Sequence, residues 1–243
     1  MERPAAVPLE DAFDAFVQDF GGVKVSDLMT NRAQMQLNAD YYFPQANVFA
    51  ELKTLEGIYS GPDGPMQVKQ AFIDGGATGA DLLDVILRGK QMPEAVQGLI
   101  RKRMRRALEQ RIKKARKQLR KSKEIFGNSE SKALVIVAMD QQPVFGHRTM
   151  LNSLAKLMVD NYRDEHTDGV IYLNANTPTQ TAPNGMEYAG WYPFYRDDEL
   201  NRELSEFVNL LGNRWLNYYG ELVGEVNPIM ELDSAEEMLH VLR

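Results

Sequence analysis

Hydrophobic and polar positions along the chain follow a helical period in some segments, cluster as strand-like β-branched and aromatic runs in others, and in one segment lose alternation altogether. Leu9, Phe13, Phe16, Val17 and Phe20 recur at three- and four-residue steps, which predicts an amphipathic helix over about Leu9 to Phe20, ended by Gly21-Gly22. From Gln36 to Leu55 β-branched and aromatic residues take over. Two strands are expected there, Leu37 to Phe43 and Asn47 to Leu55, joined by the turn Pro44-Gln45-Ala46. So short a connection can only join antiparallel strands. Gly57 to Gly79 is rich in Gly and Pro around a short element near Met66 to Phe72, and Ala80 to Leu87 has helical spacing.

The longest pattern lies further on. Met104, Leu108, Ile112, Ala115, Leu119 and Phe126 recur at steps of three, four or seven, with Ser122 filling the gap. They predict one helix from about Pro93 to Phe126, broken by Gly127-Asn128-Ser129. Lys132 to Met139 shows no polar alternation and reads as a strand buried on both faces. A helix near Thr149 to Asn161, a strand at Gly169 to Leu173, a polar loop through Gly185 and a last helix from about Asp197 to Leu222 complete the expectation. This order predicts an α/β fold: a mixed central β-sheet flanked by helices on both faces. We read residues 1–243 as a single domain, with an insertion at about 57–92 and a C-terminal helical part at about 197–243.

Charge changes the picture. The chain of 243 residues carries a net charge of −6, which by itself argues against a polyanionic partner. Between Arg101 and Lys123, however, stand 13 basic residues and 1 acid, Glu109, for +12, leaving −18 on the rest. The basic block is the outer surface of the long helix, and it has few acids to neutralise it by pairing. The absence of cysteine excludes disulfides and thiolate-bound metals. The longest apolar run has seven residues, against the about 20 of a membrane helix, and Met1 to Glu10 lacks the features of a signal peptide. A cytoplasmic protein with no membrane partner is the expectation.

Common motifs fail. There is no phosphate-binding P-loop, and Asp74-Gly75-Gly76-Ala77-Thr78-Gly79 reads as a turn. His147, His166 and His240 lack metal-ligand spacing and are expected on the surface or in loops. Tyr41, Tyr42, Trp191 and Tyr192 are expected to pack rather than to stack on bases, and Asn174 and Asn176 to cap a loop.

What remains is the hairpin. Its second strand is strongly apolar yet carries Glu51 and Lys53, which at i and i+2 project from one face. Opposite charges on such a face are costly unless paired with each other, a metal or a ligand. Asp40 lies on the partner strand, where pairing can bring it near Glu51, and carboxylates so grouped suit a hard divalent cation.

Asp40 followed by Glu51-Leu52-Lys53 on the second strand of a hairpin, with a helix before and a helix and buried strand after, resembles the PD-(D/E)XK nuclease superfamily and its restriction-endonuclease-like fold. The resemblance covers about residues 9–55 and 94–174. Ala39 stands where the family name has proline. An E-x-K triplet arises roughly once by chance in a chain of this length. The second copy, Glu130-Ser131-Lys132, sits at a turn with no aspartate strand before it.

The resemblance implies Mg²⁺ or Mn²⁺ held by Asp40, Glu51 and the carbonyl of Leu52, with Lys53 assisting the attacking water. It also implies a further acid from the first helix, for which Glu10 is preferred over Asp11 and Asp14, read as pointing further toward solvent. Lys114 and Gln118 resemble the basic and glutamine positions that many members carry on the following helix, where Arg111, Lys117 and Lys121 would reach phosphates without reading sequence. The function implied is phosphodiester hydrolysis in nucleic acid, with DNA the expected substrate. The alternatives are a catalytically inactive nucleic-acid-binding or assembly subunit, and a module whose basic helix docks on an acidic protein. The sequence leaves open whether the chain acts alone, as a homodimer or in a larger assembly.

Overall fold

The computed structural model describes residues 7–29, 38–55, 64–140, 146–161, 167–176, 179–180, 187–195 and 202–224. It is an α/β fold built on a six-stranded mixed sheet. Helix α1 (Leu9–Asp19) is followed by the short strand β1 (Val23–Lys24) and a 3₁₀ turn (Val25–Leu28). Strands β2 (Tyr41–Phe43) and β3 (Val48–Leu55) form the expected antiparallel hairpin, in which Tyr41 faces Ala50 and Phe43 faces Val48. Asn47 makes the turn at φ 53°, a left-handed conformation that asparagine tolerates. Its side-chain oxygen accepts bonds from Tyr42 (3.2 Å), Asn128 (2.6 Å) and Ser131 (2.7 Å), tying the hairpin tip to the end of the long helix.

Helices α2 (Gly64–Asp74), α3 (Gly79–Arg88) and α4 (Glu94–Ile125) then lead to β4 (Lys132–Met139), which runs parallel to β3 over the whole strand. Helix α5 (Gly146–Asn161) crosses over to β5 (Gly169–Leu173), parallel to β4. Two two-residue strands, β6 (Thr179–Gln180) and β7 (Glu187–Tyr188), pair with each other. Strand β8 (Trp191–Tyr195) closes the main sheet antiparallel to β5, giving the order β1-β2-β3-β4-β5-β8, and α6 (Arg202–Val223) completes the described chain.

The sheet separates two cores. On one face Phe49, Leu55, Val135 and Val137 pack against the stripe Met104, Leu108, Ile112, Ala115, Leu119 of α4 and against α5. On the other, Ala50, Leu52, Leu134 and Ile136 meet Phe13, Phe16 and Val17 of α1 and Leu211 and Trp215 of α6. A third, separate cluster of Ala71, Phe72, Val96 and Ile100 joins α2 to the start of α4. That part of α4 is an arm whose packing is independent of the sheet. The glycine-rich segment before α3 is a turn as expected: Gly76 takes φ 70°, and Thr78 and Asp81 form a reciprocal cap.

Several expectations are corrected. The first hairpin strand starts at Tyr41, and residue 37 lies outside the described residues. The stretch after β5 contains β6, β7 and the edge strand β8, which no expectation included. Pro193 sits within β8, which is tolerated because only one side of an edge strand is hydrogen-bonded. His147 is buried rather than superficial, its Nδ1 2.6 Å from the Tyr172 hydroxyl, whereas His166 and His240 lie outside the described residues. Of the described helices, none is long and apolar enough to cross a membrane.

Candidate metal and nucleic-acid site

The strand alternation that buries Phe49 and Leu55 on the α4 side places Glu51 and Lys53 on that same side. Glu51 is fully buried, and the Lys53 side chain is 18% exposed. The lysine donates a hydrogen bond to Glu51 Oε1, while Glu51 Oε2 has no hydrogen-bonding partner among the described residues. One step beyond the last paired residue of β2, Asp40 stands opposite Glu51, and its Oδ2 accepts the Leu52 amide at 2.8 Å. The sequence-predicted trio is thus brought together where β2 ends and the β3 backbone is released to the Asp40 carboxylate.

Electrostatics mark the same spot. Burial, reinforced by the negative charge of Asp40, pushes the Glu51 carboxyl up to about 8, against the pull of Lys53. Burial also raises Asp40, opposed by the Leu52 amide and by Lys53. A fully buried acid and a half-buried one, both of raised proton affinity, and one carboxylate oxygen without a hydrogen-bonding partner among the described residues could hold a hard cation. The donor set fits Mg²⁺ or Mn²⁺ as two carboxylates to be completed by a backbone carbonyl and water. Among the described residues no three His, Asp or Glu side chains gather closely enough to hold a metal alone.

A cleft of about 430 Å³ opens beside Asp40. Into it α1 contributes Glu10 and Asp14, β1 contributes Lys24, the hairpin contributes Asp40, Tyr41 and Lys53, and α4 contributes Gln118. Glu10 lines the cleft, as preferred from sequence, but its Oε1 accepts a bond from Thr54 at 2.6 Å. Asp14 corrects the reading that it points to solvent. Its Oδ1 accepts the Tyr41 hydroxyl at 2.8 Å, and its other oxygen pairs with Lys24. Asp14 stands one turn from Glu10, so the i, i+4 relation was the available signal. Lys24 carried none, because a two-residue strand has no periodicity.

Of the expected nucleic-acid contacts, Gln118 alone lines the cleft, with its Nε2 donating to the Asn38 carbonyl at 2.9 Å. Lys114, Lys117 and Lys121 are exposed and Arg111 is half-buried. Lys121 pairs with Glu124 at 3.3 Å, whereas Arg111, Lys114 and Lys117 have no carboxylate partner among the described residues. The aromatics pack as expected: Tyr41 is buried, and Tyr42 lies 4.6 Å from Phe49 between ring centroids. Asn176 does not cap its own loop as expected but ties it to distant elements, bonding the amide and the carbonyl of Val7, the Tyr219 hydroxyl and Asp140.

Comparison with protein-family models, with curated proteins and with solved structures found no match to this chain.

Proposed function

We propose that this chain is a Mg²⁺-dependent nuclease that hydrolyses phosphodiester bonds, with DNA as its substrate. The observation that carries the reading is the convergence of Asp40, Glu51 and Lys53 beside a cleft bordered by the basic helix α4. The order of elements supports the resemblance to the PD-(D/E)XK superfamily: a helix before the hairpin, then a helix and a buried strand parallel to β3.

Asp40 and Glu51, with the Leu52 carbonyl, would hold the cation. When bound, it polarises the scissile phosphate and makes water a better nucleophile. Lys53 does two things in this reading. Its ammonium orients the attacking water, and it offsets negative charge that builds on the phosphoryl oxygens in the transition state. The burial that raises Glu51 also strengthens its attraction for a cation, since the same low dielectric acts on both. Gln118 borders the cleft, and Arg111, Lys114, Lys117 and Lys121 lie within a few turns of it to take the flanking phosphates.

The test is cleavage of duplex DNA, single-stranded DNA and RNA by the purified protein with Mg²⁺ or Mn²⁺, beside a Lys53→Ala variant. Metal-dependent cleavage of DNA that is lost in the variant is expected. No cleavage of any substrate, or a fully active variant, would overturn the proposal. A second reading, a non-catalytic nucleic-acid-binding subunit, is favoured by the lack of a three-acid metal group among the described residues. It requires binding that is indifferent to EDTA and abolished by charge reversal at Arg111, Lys117 and Lys121.

A further inference from the structure

The basic surface of α4 does not stop at the cleft. Its residues Lys102, Arg106, Gln110, Lys114 and Gln118 succeed one another at intervals of four. On a helix such a series forms one continuous ridge, inclined to the axis. The first four are exposed and the last lines the cleft. No acid interrupts it: Glu109, the one acid of the segment, lies on the neighbouring row with Lys113, Lys117 and Lys121. Lys102, Arg106 and Lys114 have no carboxylate partner among the described residues, unlike Arg103 nearby, which is neutralised by Asp74.

We propose that this ridge is a track for the backbone of duplex DNA, leading from the arm into the cleft. The proposal rests on the nucleic-acid reading of the site and adds a second contact region, Lys102 and Arg106, that the hairpin chemistry does not require. Sixteen residues of helix separate Lys102 from Gln118, about 24 Å at 1.5 Å per residue. At 3.4 Å per base pair this is about seven base pairs of B-form DNA. The 32-residue helix is braced by the sheet at one end and by α2 at the other, so the cations are held on a rod. Each four-residue step turns about 40° around the axis, so Lys102 and Gln118 lie about 160° apart and the ridge crosses the outer face of α4 obliquely. A duplex laid across that face, itself stiff over far longer distances, meets cations from both edges of it, whereas a single strand keeps its freedom to leave them. Ridge contacts therefore add affinity only for duplex that extends beyond the site.

The experiment compares the parent with the double variant Lys102→Gln, Arg106→Gln, in residues with no side-chain partner among the described residues and with a replacement that favours helix. Binding to a 24-base-pair duplex is measured as a function of salt in Mg²⁺-free buffer. The logarithmic salt dependence should become shallower by about 1.8, the value for two lost phosphate contacts. Affinity at low salt should fall about tenfold or more, and Glu109→Gln should strengthen binding. A hairpin-closed duplex of six base pairs should bind and be cleaved as by the parent. An unchanged slope on the long duplex would overturn the track. Equal loss on a single-stranded 24-mer would overturn the duplex assignment, and equally tight, equally salt-sensitive binding of polyglutamate would overturn nucleic acid as the partner. Altered slopes without any cleavage would remove the nuclease reading and leave the track standing.

Discussion

Ser122, on the buried face of α4, accepts a hydrogen bond from the backbone amide of Ala39 at 2.8 Å. The two residues are far apart in sequence, yet the bond fixes the residue immediately before Asp40 to the helix that carries the basic ridge. It explains why a serine fills the gap in an otherwise apolar stripe. No strand among the described residues pairs with Ala39, and a buried donor left alone costs about 1–3 kcal/mol. Ser122→Ala should lower stability by about that amount, and Ser122→Thr, which keeps the acceptor, by less. Chemical denaturation checks the stability. A cleavage rate that falls with Ser122→Ala at saturating Mg²⁺ would place the effect on Asp40.

Lys53 is the side chain whose loss should separate chemistry from binding. With Lys53→Met we expect DNA affinity to hold within a few-fold while the rate of metal-dependent cleavage falls by about 10²–10³, the scale seen when one electrostatic stabiliser is removed. Single-turnover kinetics beside a binding titration would show it. A variant that loses binding and rate together would place Lys53 among the phosphate contacts instead.

The pH dependence of the metal-free protein follows from Glu51. Its carboxyl is raised from the ordinary range to about 8 by burial and by Asp40. Between these values the folded state holds a proton that the unfolded chain releases, so the folded state binds more protons and stability falls as pH rises. In EDTA the melting temperature should decline from about pH 5 to about pH 8. Glu51→Gln should flatten that decline, and Mg²⁺ should oppose it by favouring the ionised pair. A melting temperature that is flat across this window in the parent would contradict the assignment.

The two acids that α1 places in the cleft, Glu10 and Asp14, are expected to differ. Asp14→Ala removes the acceptor of the buried Tyr41 hydroxyl and the partner of Lys24, and should cost about 1–3 kcal/mol. Glu10→Gln alters an exposed residue and should change stability by less than about 0.5 kcal/mol. If Glu10 also contributes to the cation site, Mn²⁺ affinity measured calorimetrically falls in Glu10→Gln. Unchanged affinity would limit the site to the hairpin.

Legibility of the fold in the sequence tracked how far each element's pattern was repeated. The strands Lys132–Met139 and Gly169–Leu173 and the helix Glu94–Ile125 were readable to within a residue, because a long apolar run or stripe leaves one solution. Strand β8 was not, because Trp191–Tyr195 is half-buried throughout and contains Pro193, so it has neither a two-residue period nor an unbroken ladder. His147 was misplaced because its burial is fixed by Tyr172, a partner from another element that no local pattern announces. At the site, Asp40, Glu51 and Lys53 could be singled out because charge in an apolar strand is conspicuous. Asp14 and Lys24 look like ordinary surface residues until tertiary structure sets them against Tyr41.

The parallel pairing of β3 with β4 bears on the order in which the molecule comes into being. The hairpin that carries Asp40, Glu51 and Lys53 closes through a short turn and can form early, in water, with its carboxylates still hydrated. Their burial waits for a ladder between strands separated by α2, α3 and α4, a non-local closure of the kind that slows folding. Desolvation of the acid pair is therefore tied to the late step. The proton that raises Glu51 is taken up as that ladder zips, so under the proposed function the last stage of refolding, rather than the first, is the one expected to respond to pH and Mg²⁺.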